Sequence, residues 1–256
     1  MHADGRTPFV LLHALAQDST MWKAQQQALT AAGHRVLAPD QRGFGRTPLG
    51  DDPPSLDLVA DDVARLMDQN GIERAAIAGA SMGGYVAMAF VRRHPSRVAA
   101  LGLFAARAAA DTLDQRAQRE AFATAIIDPG RRAALIDATA PQLLGAVTRA
   151  GNPELVRRVR ASAEACDPHA LAWAQRAIAQ RPDALEVLRE VRVPAVVVAG
   201  EQDELVSFHE AANTAAALPG ALLVVLAHCG HLAPIEAPEA VTASLCRLVD
   251  HAAVAR

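Results

Sequence analysis

The chain has 256 residues, 51% of them apolar and 21% charged, with a formal net charge of −3. That length supports one sizeable hydrophobic core, and the composition excludes wholesale disorder. No basic surface is on offer for nucleic acid, no run approaches the roughly 18 apolar residues of a membrane span, and Cys166, Cys229 and Cys246 form no Cys-x-x-Cys pair for a disulfide framework or structural zinc. Much of the apolar share is alanine (58 residues), only 4% of the chain is aromatic, and 24 Arg stand against the single Lys23. Both biases read as coding drift in a GC-rich genome and carry no functional signal.

From about Pro8 to Ala106 short apolar runs alternate with amphipathic stretches. Phe9–His13 reads as a buried strand and Arg35–Pro39 as a second. The preceding MHADGRTP has Asp4 and one Arg, and His13 interrupts the apolar run, so FVLLHALA reads as the first core strand of a cytoplasmic protein and not as a signal peptide. Leu56–Asn70 has helical spacing, with Leu58, Val59, Val63, Leu66 and Met67 on one side and Gly71 as its stop. Ala75–Ala78 is the next strand, Met82–Arg93 a helix closed by His94-Pro95, and Val98–Phe104 another strand. From Arg107 to Arg192 no strand is convincing. Breaks at Asp128-Pro129-Gly130, Pro141, Gly151-Asn152-Pro153, Asp167-Pro168 and Pro182 punctuate four or five helices. Strand texture returns at Ala195–Ala199, a helix spans about Ser207–Leu218, Ala221–Ala227 is a last strand, and Pro238 opens a final helix. The pattern predicts an α/β fold with a doubly wound, mostly parallel sheet of about six strands, its core formed by 1–106 and 193–256 and a helical cap inserted at 107–192.

The sharpest local feature is Gly79-Ala80-Ser81-Met82-Gly83, a Gly-x-Ser-x-Gly between a strand and a helix. Such a turn strains the serine backbone and projects its hydroxyl above the sheet, while small neighbours let the helix approach the strands. The Met82 amide lies at a helix N-terminus, aimed at developing negative charge. The plainer alternative is a serine that merely N-caps the helix. A serine nucleophile needs a base and sites in parallel sheets form at C-terminal strand ends, so the segments after the later strands matter: Glu201-Gln202-Asp203-Glu204 and His228-Cys229-Gly230-His231.

Leu11-Leu12-His13-Ala14-Leu15, Pro39-Asp40-Gln41-Arg42-Gly43-Phe44-Gly45-Arg46, Gly79-Ala80-Ser81-Met82-Gly83-Gly84, Gly200-Glu201-Gln202-Asp203 and Gly230-His231 occur in one order along the chain. Together they resemble the α/β-hydrolase superfamily, closest to small esterases, enol-lactone hydrolases and perhydrolases. The resemblance implies Ser81 as nucleophile, His231 as general base and Asp203 as the acid that orients it, with the Met82 and Leu15 amides as oxyanion hole. Glu201 and Glu204 are rival carboxylates, and His228 is a rival histidine read as a loop residue. A metal site of His228, His231 and Asp203 would leave the serine turn without a purpose, so no metal and no cofactor are expected. The chain departs from the family loop in having Ala14 where glycine is usual, a strain if that position needs positive φ. His13, Asp40 and Arg42 read as structural, a loop-holding histidine and a charge pair or network behind the site.

Specificity falls to the inserted helices. Between Arg107 and Glu190 they carry 12 Arg against 11 Asp and Glu, which predicts no strong funnel for anions. Arg107, Trp22, Phe122 and Trp173 are the candidate pocket residues. The expected function is hydrolysis of a small carboxylic ester or lactone through an acyl-enzyme. Enol-lactone cleavage, carbon–carbon bond hydrolysis or perhydrolysis by the same triad are the alternatives, with a ligand-sensing protein as the rival from another class. No nucleic-acid or membrane partner is expected. The first strand leaves no room for a preceding hairpin, which puts Arg35–Pro39 near an exposed edge and predicts either a monomer or a homodimer through that edge.

Overall fold

The computed structural model describes residues 6–254. Strand β1 (Phe9–Leu12) is buried throughout, as an unalternating FVLL run must be when both sheet faces are covered. A one-turn 3-10 helix (Ser19–Trp22) leads into α1 (Lys23–Ala31), and β2 (Val36–Leu37), α2 (Leu56–Gln69), β3 (Ala75–Ala80), α3 (Met82–Arg93) and β4 (Val98–Phe104) follow. Six helices then intervene: α4 (Leu113–Ile127), α5 (Pro129–Thr139), α6 (Ala146–Gly151), α7 (Pro153–Ala165), α8 (Pro168–Ala179) and α9 (Leu185–Arg189). The chain finishes with β5 (Ala195–Gly200), α10 (Phe208–Ala217), β6 (Leu222–Leu226), the short α11 (Ala233–Glu236) and α12 (Pro238–Val254).

The six strands form one sheet in the order β2-β1-β3-β4-β5-β6, every neighbouring pair parallel. The chain steps one way from β1 to β2 and the other way from β3 to β4. Right-handed crossovers therefore put α1 and α3 on opposite faces. Accordingly α1 packs with α12, which also covers β4 and β5, while α3 covers β1, β3 and β4 and carries α2 on its back. The reversal beside β1 and β3 is the switch point at which such sheets open a crevice at their C-terminal ends.

The inserted stretch holds six helices where four or five were expected, because two of the expected breaks set off short ones. Asn152 accounts for one division: it leaves helical geometry and its side chain accepts from the Leu155 amide, so α6 and α7 become two elements with Pro153 opening the second. The brief α9 accounts for the other, and it packs on α3 and α10 beside the sheet. Among the described residues no strand precedes β1, and β2 stands at one end of the sheet as expected. The more exposed apolar edge is the opposite one, β6, where Leu222, Leu223 and Val225 reach solvent. No helix among the described residues is long and apolar enough to cross a membrane.

Candidate active site

Ser81 closes β3 and stands at the N-cap of α3 with φ 51° and ψ −114°. Its backbone is pinned from both sides, since its amide donates to Phe104 O (2.8 Å) and its carbonyl accepts from the Tyr85 amide (3.1 Å). The flanking glycines are required by contact. A Cβ on Gly79 would lie 2.1 Å from Gly83 O, and one on Gly83 would lie 2.1 Å from Leu12 O. The tight turn thus brings the first turn of α3 against the end of β1, at Leu12 and His13. The serine hydroxyl makes no cap bond to its own helix. It meets His231 Nε2 at 2.8 Å.

His231 is buried, 3% exposed, on the loop between β6 and α11. Its Nδ1–H donates to Asp203, 2.8 Å from Oδ2 and 3.0 Å from Oδ1, which leaves the Nε2 lone pair to accept the Ser81 hydroxyl. Asp203 follows β5, and its Oδ1 also accepts from the Leu205 and Val206 amides at 2.8 and 3.0 Å. The carboxylate is therefore held in place from below before it meets the imidazole. The rival groups are engaged elsewhere. Glu201 accepts from the His228 amide (2.9 Å), Glu204 pairs with Arg149 (2.6 Å), and the His228 side chain is exposed. Among the described residues no group of three or more His, Cys, Asp or Glu is arranged to hold a metal ion.

The His231 loop is tied to the inserted helices. Leu143 O accepts from the amides of His231 and Leu232, both at 3.1 Å, and Glu236 receives the amides of Gly145, Gly230 and Leu232. Behind the site His13 Nδ1 donates to Ala14 O (2.9 Å) while Nε2 accepts from the Gln41 amide (2.9 Å), which fixes the neutral tautomer. Burial is the largest influence on this ring and lowers its pKa, against the opposing pull of Ala14 O and Asp40. Asp40 and Arg42 do not pair with each other. Asp40 receives the Ser19 and Arg46 amides, and Arg42 grips Asp62 and Asp52. Ala14 does not have positive φ; the left-handed residue of that loop is Ala16 (φ 59°), so alanine at 14 sits without the strain the sequence suggested.

A cavity of about 400 Å³ opens over Ser81 and His231, walled by the ends of β1 and β3 and by α4, α5 and α8. Leu15, Arg107 and Phe122 line it. Trp22 and Trp173 do not, and both pocket expectations are corrected. Trp22 is wholly buried, its ring edge-on to Phe104 at 5.7 Å between centroids. On α8 the cavity side is Leu171, Gln175 and Ile178, and position 173 lies about 200° round the helix from 171. There the Trp173 indole donates to Asp52 O (2.8 Å). Sequence reading missed Tyr85, Arg119 and Gln175, all on the wall. A signal existed for each: Tyr85 is one helical turn beyond Ser81, Arg119 shares an α4 face with Gln115, Phe122 and Ile126, and Gln175 sits between Leu171 and Ile178.

The model of the α/β-hydrolase fold family matches residues 7–238, and the chain belongs to that family. It is similar to the dihydrolipoyllysine-residue acetyltransferase component of an acetoin cleaving system from Pseudomonas putida, 32% identical over 93% of this chain but only 62% of that longer protein. Among solved structures it resembles a thermophilic esterase from Thermogutta terrifontis (32% identity, TM-score 0.91, 96% of this chain and 90% of that one). It also resembles an enol-lactonase from Burkholderia xenovorans LB400 (28% identity, TM-score 0.86, 97% and 94%).

Proposed function

We propose that the chain is a serine hydrolase that cleaves a small carboxylic ester or lactone through an acyl-enzyme on Ser81. The observation that carries this reading is the continuous relay from Asp203 to His231 Nδ1 and from His231 Nε2 to Ser81 Oγ, each link 2.8 Å, on the wall of a cavity of about 400 Å³. His231 takes the hydroxyl proton as Ser81 Oγ bonds to the substrate carbonyl carbon, and returns it to the alcohol oxygen as the ester bond breaks. Water then attacks the acyl-enzyme, its proton passing to His231 and from there to the Ser81 oxygen as the acid departs. Asp203 stabilises the imidazolium that forms twice in this cycle. The Met82 amide, first of α3, and the Leu15 amide beside it are the donors for the tetrahedral oxyanion. The helices between β4 and β5 act as the lid that shapes the acyl pocket. The esterase and enol-lactonase relatives, similar over nearly their whole lengths, support the bond type.

The test pairs covalent labelling with turnover. A fluorophosphonate is expected to label the native chain and not Ser81→Ala, and native protein alone should hydrolyse p-nitrophenyl esters of short or medium acyl length. Absence of labelling, or labelling that persists in Ser81→Ala, would sink the reading.

A further inference from the structure

Three arginines converge at and behind the wall of the cavity over Ser81. Arg107 and Arg119 line it, and Arg181 stands behind Tyr85 with its guanidinium carbon 4.1 Å from the ring centroid. All three reach one carboxylate, Asp111, whose side chain has no exposure. Arg107 Nη2 and Arg181 Nη1 lie 2.7 Å from its Oδ1, and Arg119 Nε donates to Oδ2. The second carboxylate in reach is Glu210, 3.4 Å from Arg107 Nη1. Arg107 also contacts Leu205 O (3.4 Å), Arg181 donates to the carbonyls of Ile178 and Ala109, and Gln175 Oε1 accepts from Arg119 Nη1 at 2.8 Å. Burial, the largest influence on Asp111, raises its pKa, yet the three arginines outweigh it and hold the group at about 2.

Three guanidinium charges therefore stand against two carboxylates. The other charged groups on the cavity wall do not supply the missing anion, because Glu204 is paired with Arg149 and His231 with Asp203. Arg107 is 6% exposed, and its buried Nε meets no acceptor among the described residues; the same holds for Nε of Arg181. Carbonyl oxygens and the Tyr85 ring satisfy much of Arg107 and Arg181, which leaves Arg119, on the cavity wall, as the guanidinium with charge to spare. A guanidinium in excess of the carboxylates around it favours an anion that completes it. The near balance of Arg and acids across the insertion conceals this, because most of those pairs sit on outer helix faces, as Arg176–Glu120 and Arg160–Glu164 do.

We infer that the substrate carries a free carboxylate on its acyl side, a half-ester of a short dicarboxylic acid or a lactone bearing a carboxylate, and that this group seats against Arg119 and Arg107. Asp111 takes Arg119 Nε and Gln175 its Nη1, which holds the group in orientation and turns Nη2 to the incoming carboxylate as a charge-assisted donor. This assignment rests on Ser81 as the nucleophile.

The matched probes are mono-p-nitrophenyl glutarate and p-nitrophenyl pentanoate, equal in acyl carbon count and different in the distal charge. kcat/KM is expected to favour the glutarate at least tenfold, and Arg119→Gln to reduce that ratio at least tenfold, with Arg119→Lys recovering part of it. Calorimetric titration of the native protein with glutarate and with pentanoate needs neither turnover nor a variant, and glutarate should bind at least tenfold more tightly. Equal or better use of the pentanoate ester, or equal binding of the two acids, overturns the carboxylate subsite while leaving fluorophosphonate labelling of Ser81 intact. Loss of that labelling, by contrast, removes the hydrolase reading itself.

Discussion

Ser81 is held in a conformation that non-glycine residues rarely adopt, and its neighbours determine that it stays there. Gly83→Ala would press a methyl group into Leu12 O, so the variant is expected to lose about 1–3 kcal/mol of stability in urea denaturation, together with most of the ester turnover proposed for Ser81. Asp203→Asn can keep the two backbone amides on Oδ1 but presents the wrong partner to His231 Nδ1. By analogy with serine proteases, kcat should fall by roughly 10⁴ with little change in the denaturation midpoint. His13 makes a prediction of opposite kind. Its burial disfavours the charged form, so the unfolded ring, with a pKa near about 6.5, takes up a proton that the folded ring resists. The stability contributed by this site is complete above about pH 6.5 and declines as pH falls below it. Thermal midpoints between pH 7.5 and 5.0 should drop in the native protein and drop less steeply in His13→Gln. The meeting of Ser81, Asp203 and His231 was legible because each lies just past a strand end. The pocket aromatics were misplaced because a tryptophan in sequence does not say which face it takes.

At the scale of elements, Asp111 fastens three parts of the chain: the exit from β4 through Arg107, α4 through Arg119, and the segment after α8 through Arg181. Asp111→Ala would leave three guanidinium groups, two of them buried, without their shared partner, with an expected loss of about 3–5 kcal/mol in urea denaturation. Its folded pKa lies below that of an unfolded aspartate, so its contribution is present above about pH 4 and is lost as pH falls toward about 2. Acid denaturation followed by circular dichroism should show the native protein and Asp111→Asn converging in stability over that range. Helix bounds were readable where chemistry marks them. Thr112 with Gln115 and Ser207 with Glu210 form capping boxes at α4 and α10, and Gly71, with φ 61°, ends α2. The breaks at Pro141, Gly151-Asn152-Pro153 and Pro182 set off α6 and α9, but each is too brief to show a period, so the count of helices fell short.

At the scale of the molecule, the parallel sheet leaves two unpaired edges. β2 is only two residues long, which blunts it, whereas β6 presents Leu222, Leu223 and Val225 on an open strand. Val225→Lys is expected to raise the temperature at which heated samples become turbid, with the unfolding midpoint shifted little, since the replaced side chain is 46% exposed. The same sheet explains the site. Ser81 and Asp203 are separated by more than a hundred residues, yet parallel strands all end on one side. The loops leaving β3, β5 and β6 therefore bring Ser81, Asp203 and His231 together over a single crevice.

Sequence alone determined the strand-and-helix alternation, the serine turn and the order of serine, acid and histidine, because these depend on local periodicity and on residues that few backbone geometries accept. Only the tertiary structure decided which side chains wall the cavity and where the insertion's charge resides. Helix rotation set the first, turning Trp173 away and Gln175 inward. Burial set the second, since pairs on outer faces are screened by water while Arg107, Arg119 and Arg181 share one carboxylate out of its reach.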